Sequence, residues 1–180
     1  RYYLRANLDY SRLFASKHRV GAFAMVYQEE TSNANFDEKD LIGSIPKRNL
    51  AYSGRLTYAY KDRYLAEFNC GYTGSENFES GKQFGFFPAY SVGWVISEEN
   101  LVKKALPWLS LFKIRASYGE VGNDVLDGRR FPYITLIGPY DDGSYGWGEF
   151  NTNVAQGYKV SIVGTPNLTW EVAKKLDVGV

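Results

Sequence analysis

The sequence predicts an all-β fold: an antiparallel up-and-down transmembrane β-barrel segment of about seven long strands with long external loops. Three observations support this: the alternation of apolar with polar residues, the length of the alternating stretches, and the alternation of short with long connections. The alternation is clearest in residues 52–75 (YSGRLTYAYKDRYLAEFNCGYTGS), with Leu65 as its one exception. Successive side chains of a strand point to opposite faces of a sheet, so this stretch predicts a hairpin with one apolar and one polar face.

The alternating stretches are longer than the strands of most soluble proteins. They cover about 9–13 residues, whereas strands in globular sheets usually have about 5–6. A tilted strand that crosses a bilayer needs about 9–11 residues. No run approaches the roughly 18 apolar residues of a transmembrane helix. The length therefore favours membrane-spanning strands.

The predicted elements follow one another in chain order. A helix is expected over 97–108, with Ser97 as a possible N-cap. Two strand-like pieces, PYITLIG (132–138) and GYKVSIVG (157–164), are expected to pair as a hairpin inside the last long connection. The long strands are expected near 1–13, 19–29, 50–60, 64–73, 86–97, 109–120 and 170–180.

The predicted connections are short at one end of the strands and long at the other. Tips at 14–18 and 61–63 are short, whereas 30–49, 77–85 and 121–168 are mostly much longer. Short periplasmic turns and long external loops are typical of outer-membrane barrels. Seven strands cannot close a wide lumen, and an open edge in lipid would leave backbone groups unpaired. We therefore expect the chain to be an excerpt from a longer protein that supplies the remaining strands.

The apolar and polar faces predict two environments. The chain is 17% aromatic, with 15 tyrosines, and tyrosine suits a membrane interface because its ring is apolar and its hydroxyl can reach water. An arginine turned toward lipid at the midplane would cost roughly 2–4 kcal/mol, so the face that carries the charged side chains is expected to line the lumen. The candidate lipid-face and girdle residues are Tyr58, Tyr60, Tyr64, Tyr90 and Trp94, and the candidate lumen-facing residues are Arg55, Glu67, Asn69, Lys113 and Arg115.

The composition argues against several classes of function. A net charge of +1 gives no electrostatic case for binding nucleic acid. The single cysteine, Cys70, cannot form an internal disulfide or hold zinc alone, and the single histidine, His18, has no evident second partner for catalysis. We therefore predict no catalytic residues, no cofactor and no metal site, and a protein that is not an enzyme.

The longest predicted external loop contains a group of aromatic residues. The stretch GSYGWGEF (143–150) includes Tyr145, Trp147 and Phe150. Exposed aromatic rings can stack on sugar rings, so these three are candidate ligand contacts. Packing within the loop is the alternative interpretation.

Four segments resemble the SusC/RagA family of TonB-dependent outer-membrane receptors. They are RNLAYSGRLTYAYKDRYLAEFNCGYTGSENF (48–78), FGFFPAYSVGWVISEENL (84–101), LSLFKIRASYGEVGND (109–124) and TPNLTWEVAKKLDVGV (165–180). The resemblance is weak over 1–47 and nearly absent over 125–164. It implies that residues 1–180 are a partial barrel domain, a C-terminal segment of a barrel of about 22 strands. The plug domain and the other strands would lie outside these residues.

The resemblance also implies a function and partners. It implies a nutrient importer in the bacterial outer membrane that takes up glycans, oligosaccharides or peptides. The implied partners are a SusD-like surface lipoprotein as lid, and TonB, which would act through a segment outside these residues. The residues alone leave open a soluble β-sandwich module that binds carbohydrate, with the tyrosine face buried against a second sheet, and a passive porin.

Overall fold

A computed structural model of the chain describes residues 1–32, 42, 45–125 and 129–180. These residues form nine strands and one short helix, α1, at Asn100–Ala105. None of the helices in the described ranges has the length and apolarity needed to cross a membrane. The strands are β1 (Tyr2–Phe14), β2 (His18–Thr31), β3 (Lys47–Tyr60), β4 (Tyr64–Ser75), β5 (Phe84–Val95), β6 (Lys113–Asn123), β7 (Leu136–Trp147), β8 (Asn153–Ile162) and β9 (Glu171–Gly179).

Seven of the strands form one antiparallel sheet in the order β1-β2-β3-β4-β5-β6-β9. Strands β7 and β8 pair only with each other. The predicted all-β fold, the number of long strands and the separate hairpin in the last long connection are therefore confirmed. The strands of the hairpin cover Leu136–Trp147 and Asn153–Ile162, however, and not the predicted 132–138 and 157–164. Within the described residues β1 and β9 each pair on one side only, so the sheet has two open edges.

The chain divides into two compact units. The seven-stranded sheet belongs to the first, which comprises Arg1–Glu76, Phe84–Asp124 and Trp170–Val180. The β7–β8 hairpin belongs to the second, which comprises Asn77–Gln83 and Val125–Thr169. Most of the predicted connection 30–49 lies outside the described residues.

Tight turns join β1 to β2 and β3 to β4. The central residues of both turns have positive φ angles. In the first turn φ is 47° at Ala15 and 54° at Ser16, and in the second it is 51° at Lys61 and 54° at Asp62. Two consecutive positive φ angles define the type I′ turn, whose twist matches that of the strands it joins. The sequence placed these two connections correctly. We call the end of the sheet at which these two turns lie the short-turn end, and the opposite end of the strands the long-loop end.

The connection between β5 and β6 differs from its prediction. The predicted strands 86–97 and 109–120 instead end at Val95 and begin at Lys113, respectively. The Ser97 prediction is wrong: this residue lies in a 3₁₀ turn, and Glu99 occupies the N-cap position of α1 without a side-chain capping bond. The reason is that the Ser97 amide donates to the Phe112 carbonyl at 3.2 Å, which holds Ser97 beside the start of β6.

The register of the seven-stranded sheet separates its two faces completely. Every cross-strand pair joins residues of the same parity, so even-numbered residues share one face and odd-numbered residues the other. The pairing of β2 with β3 decides which side chains of β2 lie on which face. It puts Val20 on the face of Tyr58 and Phe23 on the face of Arg55. The sequence alone could not decide this, because β2 is apolar on both faces.

The odd-numbered face is concave. Asp9 of β1 and Phe87 of β5 line one depression on it. Arg19 of β2 and Asp177 of β9 line another. Strands this far apart in the sheet order can share a depression only where the sheet curls toward that face. The even-numbered face is therefore convex.

The convex face is apolar and uncovered. Phe78, Val95 and Phe131 are the only apolar side chains buried among the described residues. A soluble β-sandwich would bury this face under a second sheet, which is the opposite of what is observed. The exposed large side chains of the convex face include Leu8, Tyr10, Leu56, Tyr72, Phe86, Tyr90, Val92, Leu176 and Val178.

Candidate functional site

Three of the predicted lumen-facing residues form one hydrogen-bonded cluster on the concave face. Arg55 Nε donates to Asn69 Oδ1 at 2.9 Å and lies 3.3 Å from Glu67 Oε1. Asn69 Nδ2 donates to the same Glu67 oxygen at 2.8 Å. The Arg55 side chain is largely exposed, so this pair adds little to stability. The cluster presents fixed charge and hydrogen-bonding groups to water.

The other two predicted lumen-facing residues lie nearer the short-turn end of the same face. Arg115 Nη2 is 4.0 Å from Asp177 Oδ1. Lys113 lies two residues before Arg115 on β6, and both line a depression together with Glu67. Sequence reasoning missed Asp177, although its odd position in β9 was a usable signal.

The concave face also carries an aromatic group that sequence reasoning missed. Near the long-loop end, Tyr27, Phe87 and Trp170 line one depression. The Phe87 and Trp170 rings meet edge to face, with centroids 5.1 Å apart. The Phe87 ring occupies the space that a Cβ atom would need at Gly122. Aromatic rings beside polar groups in a depression are typical of sites that bind organic ligands.

All five predicted lipid-face residues lie on the convex face. Tyr60, Tyr64 and Trp94 stand in register across β3, β4 and β5, and His18 of β2 extends the series. Neighbouring centroids are 4.9 Å apart for His18–Tyr60, 6.3 Å for Tyr60–Tyr64 and 6.1 Å for Tyr64–Trp94. These four residues form an aromatic row at the short-turn end.

The remaining two predicted lipid-face residues lie further along the strands. The Tyr58 hydroxyl is hydrogen-bonded to His18 Nδ1 at 2.8 Å, so Tyr58 reaches the aromatic row, and His18 has a partner that the sequence did not reveal. Tyr90 lies four residues from Trp94, or roughly 13 Å along the strand. It contacts Phe68, with centroids 5.0 Å apart, in the middle of the convex face.

A second set of aromatic residues lies at the long-loop end of the convex face. Tyr52 and Tyr72 are paired across β3 and β4, with centroids 6.3 Å apart, and Tyr72 stacks on Phe84 at 4.9 Å. Tyr52 lies eight positions before Tyr60 in β3, a distance of about 27 Å along the strand. An apolar band about 25 Å tall between two aromatic girdles is the pattern of outer-membrane barrels.

Within the described residues, two ion pairs lie on the convex face: one joins Arg48 of β3 to Glu30 of β2 at 3.2 Å, and the other joins β6 to β9. Lys174 Nζ lies 3.3 Å from Glu120 Oε1, and the Tyr118 hydroxyl donates to Glu120 at 2.8 Å. The register places this pair two residues beyond the Tyr90–Tyr118 pair, toward the long-loop end. Sequence reasoning missed it, because Lys174 breaks the alternation of β9 and its partner lies on another strand.

Glu99 links the aromatic row to the connection between β5 and β6. Its carboxylate accepts from the Tyr64 hydroxyl at 2.7 Å and from Trp94 Nε1 at 3.4 Å, and it pairs with Arg63 Nη1 at 3.3 Å. The Tyr64 hydrogen bond favours the charged form and holds the pKa of Glu99 below its ordinary value of 4.5. Trp94 and Arg63 act in the same direction, and burial opposes them.

The lowered pKa of Glu99 makes its contribution to stability dependent on pH. A depressed carboxyl pKa stabilises the folded state above the ordinary value of 4.5, and this contribution is lost as the pH falls through the lowered pKa. We expect Glu99→Gln to lower the temperature of the heat-dependent gel-mobility shift of the intact protein at pH 7. The difference in this transition temperature between the variant and the wild type should become smaller below about pH 4.5.

The matched control for this experiment is Glu98→Gln. Glu98 pairs with Lys103 at 2.5 Å, and both side chains are about half exposed. Loss of the Glu98 charge should change the transition temperature less than Glu99→Gln does at every pH. Equal effects of the two variants would contradict the role assigned to Glu99.

Comparison with known proteins identifies relatives over most of the chain. No family model matches it. It is 32% identical over 157 residues, 77% of its length, to TonB-dependent receptor P26 of Formosa agariphila. It is 29% identical over 158 residues, 85% of its length, to TonB-dependent receptor SusC of Bacteroides thetaiotaomicron. The chain spans only 14% and 15% of the lengths of these two relatives.

The fold matches a solved structure over nearly the whole chain. The RagAB peptide importer in its "closed-closed" state superposes with a TM-score of 0.73 at 18% identity. The match covers 98% of this chain and 21% of that one. The antiparallel meander of this chain thus occurs in a solved structure of an importer. The chain belongs to the SusC/RagA family of TonB-dependent receptors and forms part of their outer-membrane β-barrel.

Proposed function

We propose that this chain is part of the wall of a TonB-dependent nutrient importer, with its convex face in lipid and its concave face lining the lumen. The observation that carries the proposal is the single-layer sheet with one uncovered apolar face and one polar face. Burying apolar surface away from water is the main favourable term in protein assembly. Because no protein layer covers the convex side chains of the described residues, hydrocarbon is the partner that would remove them from water.

The concave face supports the second half of this assignment. Arg55, Glu67, Asn69, Lys113 and Arg115 are all on it and are largely or partly exposed. The backbone hydrogen bonds of the sheet are made between its own strands, as a membrane requires. The remaining strands of the receptor would pair with β1 and β9 and close the wall.

The substrates we propose are glycans, oligosaccharides or peptides too large for passive pores. Two features support organic ligands of this size: the depression lined by Tyr27, Phe87 and Trp170, and the aromatic side chains of the external hairpin. The resemblance to the SusC/RagA family implies glycans or peptides, and likeness to the RagAB peptide importer supports a peptide. We propose a SusD-like lipoprotein as the lid and TonB as the energy transducer.

The hairpin residues Tyr145, Trp147 and Phe150 are proposed as external ligand contacts. Their side chains are 74%, 60% and 80% exposed, so packing within the loop does not account for them. Tyr145 pairs with Ala155 and Trp147 with Asn153, which puts both rings on one face of the hairpin.

The importer proposal is tested by energised uptake through the intact receptor. A cell that expresses the receptor with its lipoprotein should accumulate a labelled oligosaccharide or peptide of more than porin size, and deletion of TonB should abolish this uptake. The accumulation of label over time is the measurement. Uptake that persists at the same rate without TonB would support a passive porin and contradict the proposal.

The external contacts are tested by replacing Tyr145, Trp147 and Phe150 together with alanine. We expect the half-saturating substrate concentration for uptake to rise at least roughly tenfold, which corresponds to about 1.4 kcal/mol of binding free energy. The matched control replaces Val154 and Val160, exposed on the opposite face of β8, with alanine. A control that weakens uptake equally would mean that the hairpin acts through its folding and not through these rings.

The lipid-face assignment is tested with two arginine substitutions at neighbouring levels of the sheet, one on each face. Leu56 pairs with Phe68 on the convex face, and Ser91 pairs with Glu67 on the concave face. We expect Leu56→Arg to destabilise the folded receptor in lipid by roughly 2–4 kcal/mol. Ser91→Arg should have little effect, because the new charge faces water beside Glu67. Urea unfolding of the receptor in lipid vesicles measures both, and the reverse order would exclude lipid contact at Leu56.

A further inference from the structure

We propose that the connection between β5 and β6, residues 96–112, lies in the inner-leaflet interface of the outer membrane and binds anionic phospholipid headgroups there. It would form a second membrane anchor beside the aromatic row. The inference rests on the outer-membrane location of the family and does not depend on which nutrient is imported. Three independent observations support it: the position of the segment, its exposed apolar side chains and the charge around it.

The position of the segment is fixed by Glu99. Tyr64 and Trp94, whose rings belong to the aromatic row, both donate to its carboxylate. From the neighbouring β3–β4 turn, Arg63 donates to Glu99 at 3.3 Å and to Asn100 Oδ1 at 3.0 Å. Helix α1 begins at Asn100, so the segment starts at the depth of the girdle that marks the membrane boundary. The segment is thus continuous with the lipid face.

Three large apolar side chains of the segment are mostly exposed. Leu101, Trp108 and Leu111 are 82%, 74% and 70% exposed. Helix α1 contains no buried residue. Three large apolar side chains in one 17-residue connection would be costly in water, since that surface has no protein partner. Tryptophan in particular favours the interface between headgroups and hydrocarbon.

The charge of this end of the sheet complements an anionic leaflet. Residues 15–19, 61–63 and 96–113 contain seven lysine and arginine residues against three aspartate and glutamate residues. The whole chain has 21 against 20, so the positive excess is concentrated at the short-turn end. Glu98 and Glu99 are already paired with Lys103 and Arg63, while the side chain of Lys104 is exposed on α1. Basic residues beside an apolar segment attract anionic lipid headgroups.

The proposal is tested by spin labels in the intact receptor. With Cys70 and any other native cysteine replaced by serine, a nitroxide is attached at Trp108→Cys and, as the matched control, at Asp62→Cys. Asp62 lies at the tip of the neighbouring turn and has a largely exposed side chain. The receptor is placed in nanodiscs of phosphatidylcholine with or without phosphatidylglycerol. Collision rates are measured with oxygen, which concentrates in the membrane, and with a water-soluble nickel chelate.

The expected result is a label at position 108 that collides with oxygen several-fold more often than with nickel, and a label at position 62 with the reverse preference. Lys103→Gln with Lys104→Gln should reduce this preference at position 108 in discs that contain phosphatidylglycerol and leave it unchanged in phosphatidylcholine alone. If Trp108→Cys fails to give a folded receptor, Leu101→Cys takes its place.

Three results would overturn the proposal. A label at position 108 that nickel reaches as readily as at position 62 would mean that the segment lies in water. A label shielded from both reagents would mean that another protein surface covers it. A preference for oxygen that does not respond to phosphatidylglycerol or to the lysine changes would contradict the binding of anionic headgroups.

Discussion

The structure depends on one constraint: a single sheet satisfies its own backbone hydrogen bonds but leaves one whole face apolar and uncovered. In water such a sheet would need a second layer, because most of its large apolar side chains are exposed. In a bilayer hydrocarbon would cover the convex face, and the backbone groups between strands are already paired, so that only the outer edges of β1 and β9 need the remaining strands of the receptor. The length of the strands, 9 to 14 residues in the seven-stranded sheet, follows from this solvent and not from a protein core.

In the proposed assignment, the aromatic side chains of the convex face lie at the boundary between hydrocarbon and water. At the short-turn end the row of His18, Tyr60, Tyr64 and Trp94 is set by register across four strands. Its rings contact one another, and two of them also donate to Glu99. A ring with one polar atom is suited to this depth, because it buries apolar surface while its hydroxyl or indole nitrogen reaches a polar partner. Through Glu99 the row is therefore coupled to the fold of the β5–β6 connection.

The concave face follows a different rule. It carries charge at Arg55, Glu67 and Arg115, and it also carries the aromatic group of Tyr27, Phe87 and Trp170. Because this face curls inward, its side chains converge, and residues from distant strands share one depression. Convergence of polar and aromatic groups gives a surface that organic ligands can contact, whereas the convex face is mainly apolar.

The sequence by itself determined the strands, the two tight turns and the parity of β3 and β4, because the period of two residues is a local property of an extended chain. The ten face residues named in advance divide by parity, five on the convex face and five on the concave face. The tertiary structure alone decided the faces of β2, the partner of Lys174, the role of Glu99 and the true position of Ser97. Each of these depends on contacts between residues far apart in the chain, which the local alternation of apolar and polar residues does not specify.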